Sequence, residues 1–157
     1  MAGVGGVTIE AVDPFSAEAT QLVAAYLDEI SETFGYDTTK AVPTTPEDCL
    51  PPRGRFLVVR EPDGTPIGCG GVRLLDAGTA EVKRMYLQPS ARGRGLGRQL
   101  LAALEAEAMA LGASNGVLDT NESLESALAL YRNGGWHEVA AYNDNPEATH
   151  WFAKPLG

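Results

Sequence analysis

Apolar and polar positions along this chain follow two rhythms, one of period two and one close to 3.6. Residues 7–12 (VTIEAV) alternate with period two and read as a short edge strand. Asp13-Pro14 interrupts them. Ser16 then supplies a cap for a helix whose apolar positions Leu22, Val23, Tyr26, Leu27 and Ile30 recur at helical spacing until Phe34-Gly35. Period two returns at 55–60, 66–75 and 79–87, across the turns Glu61-Pro62-Asp63-Gly64 and Asp76-Ala77-Gly78, and predicts an antiparallel meander. Leu96, Leu100, Leu101, Leu104, Ala108 and Leu111 make an apolar stripe that predicts a helix over about 95–111, stopped by Gly112.

Residues 116–120 form a short apolar run reached through that helix, so the strand they predict runs parallel to its predecessor. Asn121 or Ser123 can cap a last helix at 124–132, with positions 124, 127, 128 and 131 on one face. Two closing strands, 136–141 and 149–154, flank the turn Asn143-Asp144-Asn145-Pro146. The pattern predicts an α+β fold: a mixed, mostly antiparallel sheet of six to seven strands with helices on both faces. Between 36 and 54 the rhythm is lost. Pro43, Pro46, Pro51 and Pro52 forbid a long helix there, although Thr45-Pro46-Glu47-Asp48 can start a short turn.

Composition narrows the classes. The 157 residues, 44% of them hydrophobic and 21% charged, suit one globular domain spanning 1–157. No apolar run reaches the length of a membrane span, and Met1-Ala2-Gly3-Val4-Gly5-Gly6 lacks the basic and apolar segments of a secretory signal, so a cytoplasmic protein is expected. Cys49 and Cys69 are too few for a disulfide framework, and no Cys/His cluster points to a metal. A net charge of −9 argues against general nucleic-acid or anionic-membrane binding.

Against that acidic background one stretch reverses sign. Lys83, Arg84, Arg92, Arg94 and Arg98 are five of the twelve basic residues, and no acid lies between them. Within the stretch, glycines alternate with other residues at Arg92-Gly93-Arg94-Gly95-Leu96-Gly97, where the predicted helix opens. Glycine lets a backbone approach a ligand closely, and free N–H groups at a helix start attract anions. A phosphorylated ligand is the expected cause. The spacing is not the G-x-G-x-x-G of a dinucleotide fold, nor the G-x-x-x-x-G-K-[ST] of a P-loop.

Arg92-x-x-Gly95-x-Gly97 resembles the pyrophosphate-binding signature Q/R-x-x-G-x-G/A of the GNAT superfamily of N-acetyltransferases. Residues 80–87 resemble that superfamily's fourth strand, and Leu118-Asp119-Thr120 its fifth. Ala127-x-x-x-Tyr131-x-x-x-Gly135-Trp136 resembles its A-x-x-x-Y-x-x-x-G-F segment. The likeness covers residues 55–154, with the specific motifs between Glu81 and Trp136. It implies a GNAT-like fold that takes acetyl-CoA as cosubstrate, uses no metal, and acetylates a primary amine, on a small molecule or a peptide amino group, by direct attack in a ternary complex. The identity of the amine and the oligomeric state, homodimer included, stay open.

By the same resemblance Arg92, Gly93, Arg94, Gly95, Leu96, Gly97 and Arg98 hold the nucleotide end, and a backbone amide among Met85, Tyr86 and Leu87 polarises the thioester carbonyl. Glu81 stands at the offset of a carboxylate general base in some members; its other reading is a structural carboxylate paired with Lys83 or Arg84. Period two puts it on one sheet face with Lys83 and Met85. Tyr131 matches the tyrosine that meets the CoA sulfur, or is a core tyrosine on an apolar helix face. Many members carry Asn where this chain has Leu124, so that cofactor contact is expected either to be lost or to be supplied by neighbours such as Asn121 or Ser126. A non-catalytic acyl-CoA-binding sensor or interaction module is the alternative that Leu124 leaves open.

Overall fold

The computed structural model describes residues 2–4, 6–35 and 45–157. Its frame is one sheet of eight strands in the order β1-β2-β3-β4-β5-β6-β8-β7. The strands are β1 (Ala2–Val4), β2 (Val7–Val12), β3 (Gly54–Arg60), β4 (Pro66–Leu74), β5 (Thr79–Leu87), β6 (Asn115–Thr120), β7 (His137–Val139) and β8 (His150–Pro155). Every pairing is antiparallel except β5 with β6. The α+β prediction is met, with one strand more than the six to seven expected. The addition is β1, a three-residue hairpin arm that pairs outside β2, so residues 7–12 are not an edge strand.

Helix α1 (Ala17–Phe34) covers one face; α2 (Leu96–Ala110) and α3 (Glu125–Asn133) cover the other. The Ser16 hydroxyl accepts the Ala19 N–H at 3.3 Å, and Gly35, at φ 69°, caps the far end of α1 in the left-handed region. Alternation along β3 explains the two cores. Leu57 and Val59 join Leu96, Leu100, Leu104 and Phe152 beneath α2, whereas Phe56 and Val58 join Ala19, Leu22 and Cys69 beneath α1. Among the described residues no helix is long and apolar enough to cross a membrane.

Two departures from regularity shape the middle of the sheet. Cys69 pairs with Tyr86 and Gly71 with Lys83, so the single residue Gly70 faces both Arg84 and Met85. This is a β-bulge, and Arg84 sits in it with φ 60°. The extra residue shifts the alternation. Glu81 and Lys83 stay together, but Met85 turns to the α2 face, contrary to the period-two expectation. Gly70 has no room for a side chain, because a Cβ there would lie 2.7 Å from Leu104 Cδ1 on α2.

The second departure is a parting of strands. β5 and β6 are paired only from Thr79–Asn115 to Glu81–Val117, yet β5 runs on to Leu87 and β6 to Thr120. Beyond Glu81 the edge of β5 therefore faces β6 across an opening. Residues 36–44, within the irregular segment noted above, lie outside the described residues; Pro46–Cys49 form a short 3-10 turn started by Thr45, as expected.

Candidate functional site

The glycine turn sits at the mouth of that opening. After Leu87 the chain makes a 3-10 turn at Pro89–Ala91 and enters α2 through Gly95, the N-cap, at φ 76°. Gly93 is also left-handed, at φ 75°. Among the described residues, no side chain caps the leading N–H groups of α2, where its positive dipole end lies, and its first turn carries no acid. A Cβ at Gly93 or Gly95 would meet nothing within 4 Å, so these glycines answer to backbone conformation and ligand approach, not to a crowded interior.

The arginines around the turn do not stand in a purely basic field. Arg92 donates to the Leu87 carbonyl at 3.0 Å and pairs with Glu29 of α1 at 2.6 Å; Arg94 pairs with Glu61 at 2.9 Å. Lys83 lies between Glu81 at 3.7 Å and Asp119 at 3.6 Å. The sign reversal along the sequence is therefore balanced in space by acids from distant segments. Arg98 is exposed. The Arg92 and Arg94 pairs are substantially solvated and weak, and a phosphate could displace them at small cost.

Thr120 ends β6 beyond the parting, and Tyr131 of α3 is packed into the core beneath α2. Tyr131 is 7% exposed, in tilted contact with the rings of Trp136 and Phe152. Burial, aided by the negative charge of Asp119, pushes its hydroxyl up to about 12. Thr120 is 4% exposed, and its Oγ1 meets no hydrogen-bond partner among the described residues. A buried hydroxyl left unsatisfied is costly. At the point where β6 has left β5, it fits an arriving amide such as those of a pantetheine arm.

The two Asn121 and Ser126 expectations resolve differently. Asn121 donates to the Glu147 carbonyl at 2.6 Å and accepts from Ser123, so its amide is engaged in holding the loop ahead of α3. Neither residue 121 nor 123 caps α3, whose N-cap is Leu124 without any side-chain bond. Ser126 is exposed in the first turn of α3.

On the α1 face the opening is walled by charge. Glu81, 1% exposed, accepts Arg73 at 2.9 Å on Oε1 and the Tyr142 hydroxyl at 2.6 Å on Oε2. Arg73 also bonds Asp48 at 3.0 Å. Asp119 accepts Asn143 at 2.6 Å, and Asn143 in turn accepts the Trp151 indole at 2.9 Å. Burial and the Glu81 charge push the Tyr142 phenol far above its ordinary range, so it serves Glu81 as a neutral donor. Of this wall, sequence reasoning singled out only Glu81 and, as a partner for it, Lys83. Asp48, Arg73, Asp119, Tyr142 and Asn143 come from four other segments, and nothing in their local sequence announces the meeting.

Comparison with known proteins identifies the family. The family model described as Acetyltransferase (GNAT) family matches residues 20–136. The chain belongs to the GNAT acetyltransferase family. An IAA acetyltransferase of Azospirillum brasilense is 41% identical over 105 residues, covering 65% of this chain and 68% of that protein. An uncharacterized N-acetyltransferase of Schizosaccharomyces pombe is 38% identical over 97 residues, 61% of this chain and 60% of that one. A solved Klebsiella pneumoniae structure described as an acyl-CoA N-acyltransferase superposes with a TM-score of 0.78 at 34% identity, over 96% of this chain and 98% of its own.

Proposed function

We propose that the chain transfers an acetyl group from acetyl-CoA to a primary amine by direct attack in a ternary complex. The carrying observation is the opening between β5 and β6, which begins after Glu81 and has the uncapped N-terminus of α2 at its mouth. The backbone of Arg92 to Gly97, with Arg98 nearby, receives the pyrophosphate. The pantetheine arm lies between the strands, where Thr120 Oγ1 can bond it, and a backbone amide of Met85, Tyr86 or Leu87 polarises the carbonyl.

Magnitudes assign the proton work. A phenol near 12 lies about 3.5 units above a free thiol near 8.5, so giving its proton to a thiolate would be uphill by about 5 kcal/mol. Tyr131 accordingly acts as a hydrogen-bond donor to the departing sulfur. Glu81 has an oxygen on Arg73 and another on Tyr142, which supports a role in holding the wall over one in direct proton abstraction. Asp119 is the other candidate base, with one oxygen on Asn143 and the second, 3.6 Å from Lys83, in the looser contact. It lies two residues past the last paired position of β6, and its charge reaches Tyr131.

This reading takes residues 1–157 as one catalytic domain working in the cytoplasm on a small amine. Calorimetry with acetyl-CoA, followed by CoA release over a panel of amines, tests it; no binding at millimolar cofactor would overturn it. In the Asp119→Asn variant, turnover should fall by about 100-fold near pH 7 and recover partly at higher pH, where the amine loses its proton unaided. A sensor without turnover is the second reading, favoured by Leu124 at the α3 N-cap in place of a polar residue. It predicts cofactor binding with no thiol released by any amine.

A further inference from the structure

A cavity of about 110 Å³ lies on the α1 face, apart from the charged wall, lined by Thr20, Val23, Pro46, Cys49, Phe56 and Arg84 among others. Among the described residues that line it, Arg84 is the sole charged one. The β-bulge accounts for that position. In the left-handed region Arg84 departs from the strand's alternation, and its side chain reaches the α1 side while its neighbour Met85 packs under α2. The Pro46–Cys49 turn serves two walls at once, giving Cys49 to the cavity and Asp48 to Arg73.

We infer that this cavity is an acceptor subsite for a small amino acid, with Arg84 holding its carboxylate and Val23, Phe56 and Cys49 enclosing its carbon chain. The inference rests on the acetyl-transfer reading above and names its substrate class. Three observations support it. A guanidinium among apolar walls favours an anion there and disfavours a second cation, so a polyamine is a poor occupant. The cavity is well below the roughly 300 Å³ where drug-sized sites begin, which suits a few non-hydrogen atoms and not a peptide. Arg84 directly precedes the stretch 85–87 proposed to polarise the thioester, so the subsite adjoins the proposed reacting carbonyl along the strand. The Cys49 and Cys69 thiols are pushed up by burial, to about 11 and about 12, and stay neutral beside the guanidinium. A carboxylate would join the contacts Arg84 already makes.

The test is a calorimetric titration of the full chain saturated with CoA, using matched pairs that differ only in the carboxylate. The pairs are leucine against leucinamide, and 5-aminopentanoate against 5-aminopentanamide. In at least one pair the acid should bind about 30-fold more tightly than the amide, the range expected of a charge-assisted contact. Arg84→Asn keeps a residue that tolerates the left-handed region and should erase that preference; Arg84→Lys should retain part of it. Acids and amides binding within about threefold of each other in the wild-type protein would overturn the inference without any variant. So would a preference that survives Arg84→Asn in a protein with a normal melting transition. If amines release CoA but no acid is preferred, this inference falls and acetyl transfer stands. If the acid is preferred but no amine releases CoA, the carboxylate site stands and acetyl transfer falls.

Discussion

The two sides of the β5–β6 opening are built by opposite strategies. The side proposed to take the cofactor is contiguous: the end of β5, the glycine turn and α2 follow one another along the chain, and the proposed anion site is made of backbone. The charged wall on the α1 side is assembled from Asp48, Arg73, Glu81, Lys83, Asp119, Tyr142 and Asn143, all through side chains. A backbone site depends on conformation and is nearly indifferent to which side chains flank it. A side-chain wall depends on partners and fails when one is removed. The difference can be measured.

The largest effect should fall on the wall. Glu81→Gln leaves Arg73 and Lys83 without the charge between them, and breaking a buried ion pair by removing one partner costs about 3–5 kcal/mol. Urea unfolding should show that loss, with acetyl-CoA affinity little altered in the folded fraction. A variant as stable as the parent would mean that the wall is not a cooperative unit.

The glycine turn should respond in the reverse sense. Gly95→Ala adds a methyl group in open space but at φ 76°, a strain of about 1–2 kcal/mol. Gly35→Ala at the end of α1 carries the same penalty at φ 69°, also with nothing within 4 Å. Both should lose similar stability, yet only Gly95→Ala should weaken acetyl-CoA binding, by about 100-fold in calorimetry. Equal affinities in the two variants would return Gly95 to a purely conformational role.

That contrast also explains what could be read from the chain alone. The meander, the parallel crossover and the α2 stripe depend on local periodicity, and strands β3 to β6 fall within a residue or so of their expected bounds. The glycine turn was legible because its chemistry is local as well. Strand β1 was not, because the three residues Ala2-Gly3-Val4, with a glycine inside and two after, hold no period. The position of Met85 was misjudged because a bulge inserts one residue and inverts every later parity. The basic cluster looked unbalanced because Glu29 and Glu61, which neutralise Arg92 and Arg94, lie 63 and 33 positions away.

Tyr131 lies on the α2 face but feels the charge of Asp119 in the wall, and its variant should have an intermediate effect. Tyr131→Phe should lower turnover by roughly 10- to 100-fold at every pH, with cofactor affinity nearly unchanged, if the hydroxyl donates to the departing thiolate. Stability supplies a second readout. The folded phenol is held at about 12 and the unfolded one near 10, so the unfolded chain releases its proton first. The tyrosine's share of stability is complete below about pH 10 and is lost as the pH rises through 12, about 3 kcal/mol in all. Cys49 and Cys69 add a similar alkaline loss in both proteins, so the difference between wild type and Tyr131→Phe isolates the tyrosine.

The smallest expected effect concerns the arginines, and its sign decides what they do. Arg94 pairs with Glu61 at 2.9 Å, both partly exposed, so deleting either should leave the melting temperature nearly unmoved. If the cofactor's phosphates take Arg94 over when they arrive, they must first displace Glu61. Arg94→Ala should then weaken acetyl-CoA binding by about threefold, and the loss should fade as salt screens the pair. Glu61→Ala should move affinity the other way, tightening it by a similar factor, because the arginine is released in advance. An arginine that only ties the turn to the β3–β4 loop predicts the same sign for both variants, since each breaks one tether. Calorimetric titrations of the two variants at low and high salt separate these outcomes. Tightening in Glu61→Ala alone assigns Arg94 to the cofactor side, whereas matched weakening assigns it to the scaffold.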